Sequence, residues 1–95
     1  MKITSLIWLE EIVEKLERKH HISVEEVKQV FMNQPRFLFR ERGRRVAGED
    51  LYNALGQTDS GRYVAVFFLY KAKGDALIIS ARDMNQRERR YYGKK

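Results

Sequence analysis

The sequence predicts an α+β domain: a small antiparallel sheet with two N-terminal helices packed on one face and a C-terminal helix. Three observations carry this. Apolar side chains recur every three to four positions between residues 9 and 32, the period of helices with one buried face. Between residues 49 and 82 the apolar runs are short and are broken by Thr58-Asp59-Ser60-Gly61 and Lys71-Ala72-Lys73-Gly74-Asp75, as strands joined by tight turns are. Helices gathered ahead of a run of strands stack on the sheet they precede. The 95 residues make one domain, 1–95, large enough for a single modest core.

The elements follow in order. Ile3 to Trp8 supplies β-branched and aromatic residues for a short strand. Leu9, Ile12, Val13 and Leu16 then form one apolar stripe of a helix running to His20, which extends the stripe at its end. Ser23-Val24-Glu25-Glu26 is a capping box, with Ile22 and Val27 placed as its hydrophobic staple. That second helix runs to about Met32 and stops at Asn33-Gln34-Pro35, because the residue before proline avoids the helical region. Arg36 to Arg40 reads as a strand, Glu41 to Gly48 as a flexible loop, and Glu49 to Gln57 as a further strand. The nearly all-apolar run Arg62 to Tyr70 reads as the central strand, covered on both faces. Ala76 to Arg82 is the last strand, with Leu77, Ile79 and Ala81 on one face and Ile78, Ser80 and Arg82 on the other. Asp83 reads as the N-cap of a final helix, Met84 to Tyr92, with Gln86 completing the box.

Composition excludes several classes. There is no cysteine, hence no disulfide and no thiolate metal site, in keeping with a reducing cytoplasm. No apolar run nears the roughly 20 residues that span a bilayer, and Ile3 to Leu9 gives way at once to Glu10-Glu11, unlike a signal peptide. The net charge of +6 is concentrated in residues 36–46 and 82–95, each at +4, while the rest is slightly acidic. These are either two solvated basic surfaces or one patch aimed at nucleic acid or an acidic partner.

Within the second basic segment, a strand-end arginine stands beside a helix bearing Arg87, Arg89 and Arg90, an arrangement suited to phosphate. Arg82 is the first candidate for the phosphate because its planar fork holds two oxygens at once. Arg62, which begins the neighbouring strand, is the second. His20 suits acid–base work by its pKa, and Glu49 could act as a base or orient an arginine. Arg82 could equally form a structural ion pair with Glu49 or Asp83, and His20 could simply cap its helix. His20-His21 has no third ligand spaced for a metal.

Several motifs in order resemble the BrnT toxins: Trp8; Lys19-His20; Ser23-Val24-Glu25-Glu26-Val27 with Val30-Phe31; Gly48-Glu49; Gly56 with Gly61-Arg62; Ile79-Ser80-Ala81-Arg82; and Glu88-Arg89-Arg90 with Tyr91. The resemblance covers nearly the whole chain. It implies a RelE-like fold and the toxin half of a bacterial type II toxin–antitoxin pair, a metal-independent ribonuclease that inhibits translation without a cofactor. Metal-free RNA cleavage requires activation of a 2′-hydroxyl, stabilisation of charge on phosphorus and protonation of the leaving oxygen; by the chemistry of the residues, catalytic work falls to His20, Glu49, Arg62 and Arg82, and RNA binding to Lys19, Arg87, Arg89 and Arg90. The implied partners are RNA and a ribbon-helix-helix antitoxin; an exposed sheet edge also allows a homodimer. The chain departs from the typical pattern where Leu9, Ile12 and Leu16 replace an aspartate, a lysine and an asparagine, and where His21 replaces a glycine. It therefore resembles a divergent member, and the alternative is a catalytically inactive module that binds RNA or an acidic protein.

Overall fold

A computed structural model describes residues 1–42 and 49–94; most of the loop expected at Glu41 to Gly48 lies outside the described residues. The elements are β1 (Ser5–Ile7), α1 (Glu10–His20), α2 (Val24–Met32), β2 (Arg36–Glu41), β3 (Asp50–Gln57), β4 (Tyr63–Tyr70), β5 (Asp75–Asp83) and α3 (Gln86–Gly93). The five strands form one sheet in the order β1-β5-β4-β3-β2, with the apolar β4 in the middle. Neighbours are antiparallel except β1, which runs parallel to β5. The expected small antiparallel sheet is present, with one parallel strand, β1, added at its edge. No tight turn joins β1 to β5, so hairpin geometry does not dictate their direction.

The two N-terminal helices lie on one face. Leu16, Ile22, Val27 and Val30 pack with Val64, Val66, Phe68 and Ile78 in a fully buried core, and Trp8, Ile12, Phe31 and Phe37 close over it. The apolar residues at positions 12 and 16 therefore belong to this core. The capping box of α2 forms as read: the Glu26 N–H donates to Ser23 Oγ at 3.1 Å and the Ser23 N–H to Glu26 Oε1 at 3.0 Å. Helix α2 crosses β3 so closely that a Cβ at Gly56 would stand 3.0 Å from Val30 Cγ1 and 3.2 Å from the Val30 carbonyl oxygen.

On the opposite face, α3 sits on a smaller core of Leu55, Ala65, Met84 and Tyr92, with Leu38, Tyr63 and Phe67 packed against it. Asn53 is also fully buried, and neither atom of its amide finds a partner among the described residues, a cost of about 1–3 kcal/mol.

Two expectations for the last third of the chain are corrected. Strict alternation fails in β5 because the register shifts there: Phe67 pairs with Ser80 but Phe68 with Ile78, so Ile79 is an extra residue. The bulge puts Ile78 and Ala81 on the same buried face. Asp83 is not the helix cap. It ends β5, and α3 starts at Gln86 with Asn85 as N-cap. Asn85 Oδ1 accepts the Glu88 N–H at 2.8 Å while Glu88 Oε1 accepts the Asn85 N–H at 2.9 Å. Both Asp83 and Asn85 can cap; strand pairing decides between them, since Asp83 is still in register with Val64. Among the described residues no helix is long and apolar enough to cross a membrane.

Helix α1 is capped by His21, whose φ of 52° lies in the left-handed region and whose N–H donates to the Leu16 carbonyl. A side chain there is strained, which accounts for a glycine suiting this position. His21→Gly is expected to raise stability by about 1 kcal/mol, read as a higher urea midpoint with unchanged slope.

Candidate nucleic-acid interface

The sequence candidates divide according to the end and the face of the sheet on which they fall. Arg62 follows the β3–β4 turn and lies against the helices α1 and α2. Its Nε donates to Asp83 Oδ1 at 2.7 Å, Nη1 to the His21 carbonyl at 2.7 Å and to Glu26 Oε2 at 3.4 Å, and Nη2 to the His20 carbonyl at 2.9 Å. One guanidinium thereby joins the C-terminus of α1, the capping box of α2 and the end of β5. Helix C-terminal carbonyls carry partial negative charge and lack intrahelical donors, so a cation is well placed there. The hydrogen bond to Asp83 dominates in raising the Arg62 pKa. The same bond, with the charges of Arg62 and His20, holds the Asp83 carboxyl below the usual range against the opposing effect of burial.

Arg82 precedes Asp83 on the strand and so faces the other way, beside Ala65 and under α3. Its partner is neither Glu49 nor the Asp83 carboxylate. Nη1 and Nη2 grip Glu88 at 2.7 and 2.9 Å, and Nη1 also reaches the Asp83 carbonyl at 3.1 Å. Its guanidinium carbon lies 5.2 Å from the centre of the Phe67 ring. Burial pushes the Glu88 carboxyl up, but hydrogen bonds from Arg82 and the Asn85 N–H, with the charges of Arg82 and Arg40, outweigh it and leave the pKa lowered.

His20 is half-buried at the end of α1, with Lys19 exposed beside it. Both stand at the end of the sheet that carries Arg62 and Asp83. Glu49 does not. It bonds Lys71 Nζ at 2.7 Å where β3 begins and β4 ends, whereas Arg62 precedes Tyr63, the partner of Gln57. The separation is on the order of 20 Å along the strands. Arg87, Arg89 and Arg90 are exposed on α3, with the Arg89 guanidinium stacked 4.2 Å from the centre of the Tyr63 ring.

Sequence reasoning missed Arg36. It donates to the Tyr91 carbonyl at 3.0 Å and to that of Lys94, and stacks 4.3 Å from the Tyr91 ring centre. It caps the C-terminus of α3 much as Arg62 caps α1. Arg36, Leu55, Ala65 and Arg82 form one row across β2, β3, β4 and β5, so an arginine stands at each end of the row on which α3 rests. Alternation along β2 carried the signal, since Arg36 and the α3-facing Leu38 share a face.

The fold and its arginine-rich helix define a basic α+β domain with Arg87, Arg89 and Arg90 exposed on α3. A family model, described as ribonuclease toxin, BrnT, of type II toxin–antitoxin system, matches residues 8–88; the chain belongs to this family of ribonuclease toxins. Membership implies an antitoxin protein as partner. Among solved structures, the chain is similar to the Brucella abortus ribonuclease toxin BrnT, with a TM-score of 0.59, 18% identity, and coverage of 87% of this chain and 99% of that one. That similarity carries the fold. No curated protein matches at a significant level.

Because the folded Glu88 pKa lies below its ordinary value, its pairing stabilises the protein fully above about pH 4.3 and progressively less as pH falls through the folded value. Between about pH 6 and pH 3 the wild type should lose more of its urea midpoint than Glu88→Gln does, because the variant has no carboxylate to protonate.

Proposed function

We propose that this toxin cleaves RNA without a metal at the end of the sheet that carries Arg82 on the α3 face and His20 on the α1 face, with the RNA passing over that end and α3 presenting arginine charge to the flanking phosphates. The observation that carries this reading is the geometry of Arg82. Glu88 occupies the outer edge of its guanidinium, through Nη1 and Nη2. The side edge, Nε and the second hydrogen of Nη2, has no partner among the described residues, and a fork of this kind matches two phosphate oxygens. In the reaction the 2′-oxygen attacks the adjacent phosphorus, the P–O5′ bond breaks, and a 2′,3′-cyclic phosphate and a 5′-hydroxyl result. His20 serves as the acid–base group, taking the 2′ proton or returning one to the 5′ oxygen. Arg82 stabilises charge on the phosphoryl oxygens. Arg87, Arg89 and Arg90, with Lys19, hold neighbouring phosphates. In this reading Arg62 and Glu49 do structural rather than chemical work, because Arg62 is engaged by four acceptors and Glu49 stands at the far end of the sheet. A ribbon-helix-helix antitoxin, a cytoplasmic setting and a homodimer through an open sheet edge are consistent with this reading.

A second reading is supported by the engagement of both strand-end arginines in intramolecular pairs: the chain is an inactive module that binds RNA or an acidic protein through α3. One assay separates the two. Purified protein is incubated with single-stranded RNA in excess EDTA, and the ends are analysed. The nuclease reading predicts 2′,3′-cyclic phosphate ends, and a rate lowered roughly 100-fold or more by His20→Gln, with Arg82→Lys also impaired. Intact RNA, with binding that weakens steeply as salt rises, overturns the nuclease reading and leaves the module.

A further inference from the structure

Two adjoining hollows lie where the C-terminal half of α3 meets the β3–β4 turn. One, of 370 Å³, is lined by Gln57, Tyr63, Arg89, Arg90, Tyr92 and Gly93. The other, of 630 Å³, is lined by Asn33, Gln57, Thr58, Asp59, Gly61 and Tyr92. They share Gln57 and Tyr92 and so form one furrow, of a size that suits a small ligand or a single nucleotide. Its two ends differ in chemistry. Arg89 and Arg90 stand at one end, with the Tyr63 and Tyr92 rings edge to face, 6.2 Å between centres, beneath them. The other end is built from two amides and a carboxylate.

The hydrogen bonds at that second end follow a pattern. Asn33 Nδ2 donates to the Gln57 carbonyl at 2.9 Å and to Asp59 Oδ1 at 3.0 Å, which uses both of its hydrogens. Gln57 Nε2 donates to the Gly61 carbonyl at 3.2 Å. The Asp59 N–H is taken by Gln29 Oε1 at 2.9 Å. Internal bonding therefore consumes nearly all the donors and leaves acceptors: Asn33 Oδ1, Gln57 Oε1 and the second oxygen of the exposed Asp59. An ionised carboxylate accepts only, so this wall selects a ligand edge rich in donors and disfavours phosphate, which the arginine end attracts.

We infer that the furrow is a nucleotide subsite for guanine in single-stranded RNA, with the base edge on Asp59, Gln57 and Asn33 and a neighbouring phosphate on Arg89 and Arg90. Guanine is the base that fits because its N1–H and N2 amine stand side by side and match the two oxygens of a carboxylate. Adenine and cytosine each offer one amino group beside a ring acceptor. Uracil places a single N–H between two carbonyl oxygens, which the wall repels. The assignment rests on the reading of this chain as an RNA-cleaving toxin and adds a base preference to it. None of these residues carries the bond-breaking chemistry, so the furrow acts on where the chain binds.

The test is binding of 2′-O-methylated pentanucleotides, which cannot be cleaved at the 2′-hydroxyl. UUGUU, UUAUU, UUCUU and UUUUU carry the same number of phosphates and are titrated separately into the full chain. UUGUU is expected to bind roughly fivefold or more tightly than UUUUU, with UUAUU and UUCUU between them. Asp59→Asn keeps an oxygen for Asn33 but turns one acceptor into a donor, and it should bring UUGUU down to the affinity of UUUUU. Arg90→Ala should weaken all four alike. Equal affinities for the four oligonucleotides, no binding at all, or a guanine preference that survives Asp59→Asn each overturn the subsite. If Asp59→Asn fails to fold, as its urea midpoint would report, the ranking of the four by the wild type decides. The outcome is independent of turnover: a guanine preference in a chain that never cleaves RNA sinks the nuclease reading and keeps the subsite, while cleavage without preference does the reverse.

Discussion

The bonds made by Arg62 hold the two layers of this domain in register. Three separate pieces of chain, the end of α1, the start of α2 and the end of β5, each present oxygen atoms at one corner of the sheet. Without a cation there, two helix-end carbonyls and two carboxylates would crowd together with their negative charges uncompensated. With it, the left-handed turn at His21 is fixed, and with it the angle at which α2 leaves α1. Glu26 shows how tightly the parts are coupled. One of its oxygens closes the capping box and the other meets Arg62, so local helix initiation and tertiary docking draw on the same side chain.

A pair of arginines repeats the device on the opposite face. Arg36 and Arg82 stand at the two ends of one cross-strand row, three strand spacings or about 14 Å apart. The eight residues of α3 span about 12 Å, so the helix fits between its two clamps. Arg82 grips the first turn through Glu88, and Arg36 grips the last carbonyls. Three of the basic residues that give the chain its charge are therefore engaged in holding helices. The surface proposed to bind phosphate consists of what is left over: the outward side of α3, the edge of Arg82 that has no partner among the described residues, and the Lys19–His20 end of α1.

Much of this could be read from the sequence, for reasons that particular residues show. Ser23 and Glu26 are a local signal with a local cause, so the cap of α2 was readable without tertiary knowledge. The apolar run of β4 was readable for the same reason. The start of α3 was not: Asp83 and Asn85 are both good caps, and only the pairing of Asp83 with Val64 decides between them. The bulge at Ile79 leaves no mark in an unbroken apolar run, so alternation carried the facing of β5 only as far as Ile78. The candidate site suffered from the same limit. The sequence places Arg62 and Arg82 one strand apart, but a residue's parity along its strand sends them to opposite faces, and their carboxylate partners, Asp83 and Glu88, are set by the fold. Glu49 belonged to the motif order, yet strand direction carries it to the far end of the sheet.

The central claim is that Arg36 and Arg62 hold the fold, that Arg87 and Arg90 face the ligand, and that Arg82 does both. Equilibrium urea unfolding tests it most directly, comparing Arg62→Met with the double variant Arg87→Ala/Arg90→Ala. Removing Arg62 leaves the exposed Asp83 carboxylate, one oxygen of Glu26 and two helix carbonyls without this donor, and is expected to cost about 1–2 kcal/mol. The double variant changes exposed side chains and should stay within about 0.5 kcal/mol of the wild type. A near-native midpoint for Arg62→Met, or a large loss in the double variant, would contradict the division.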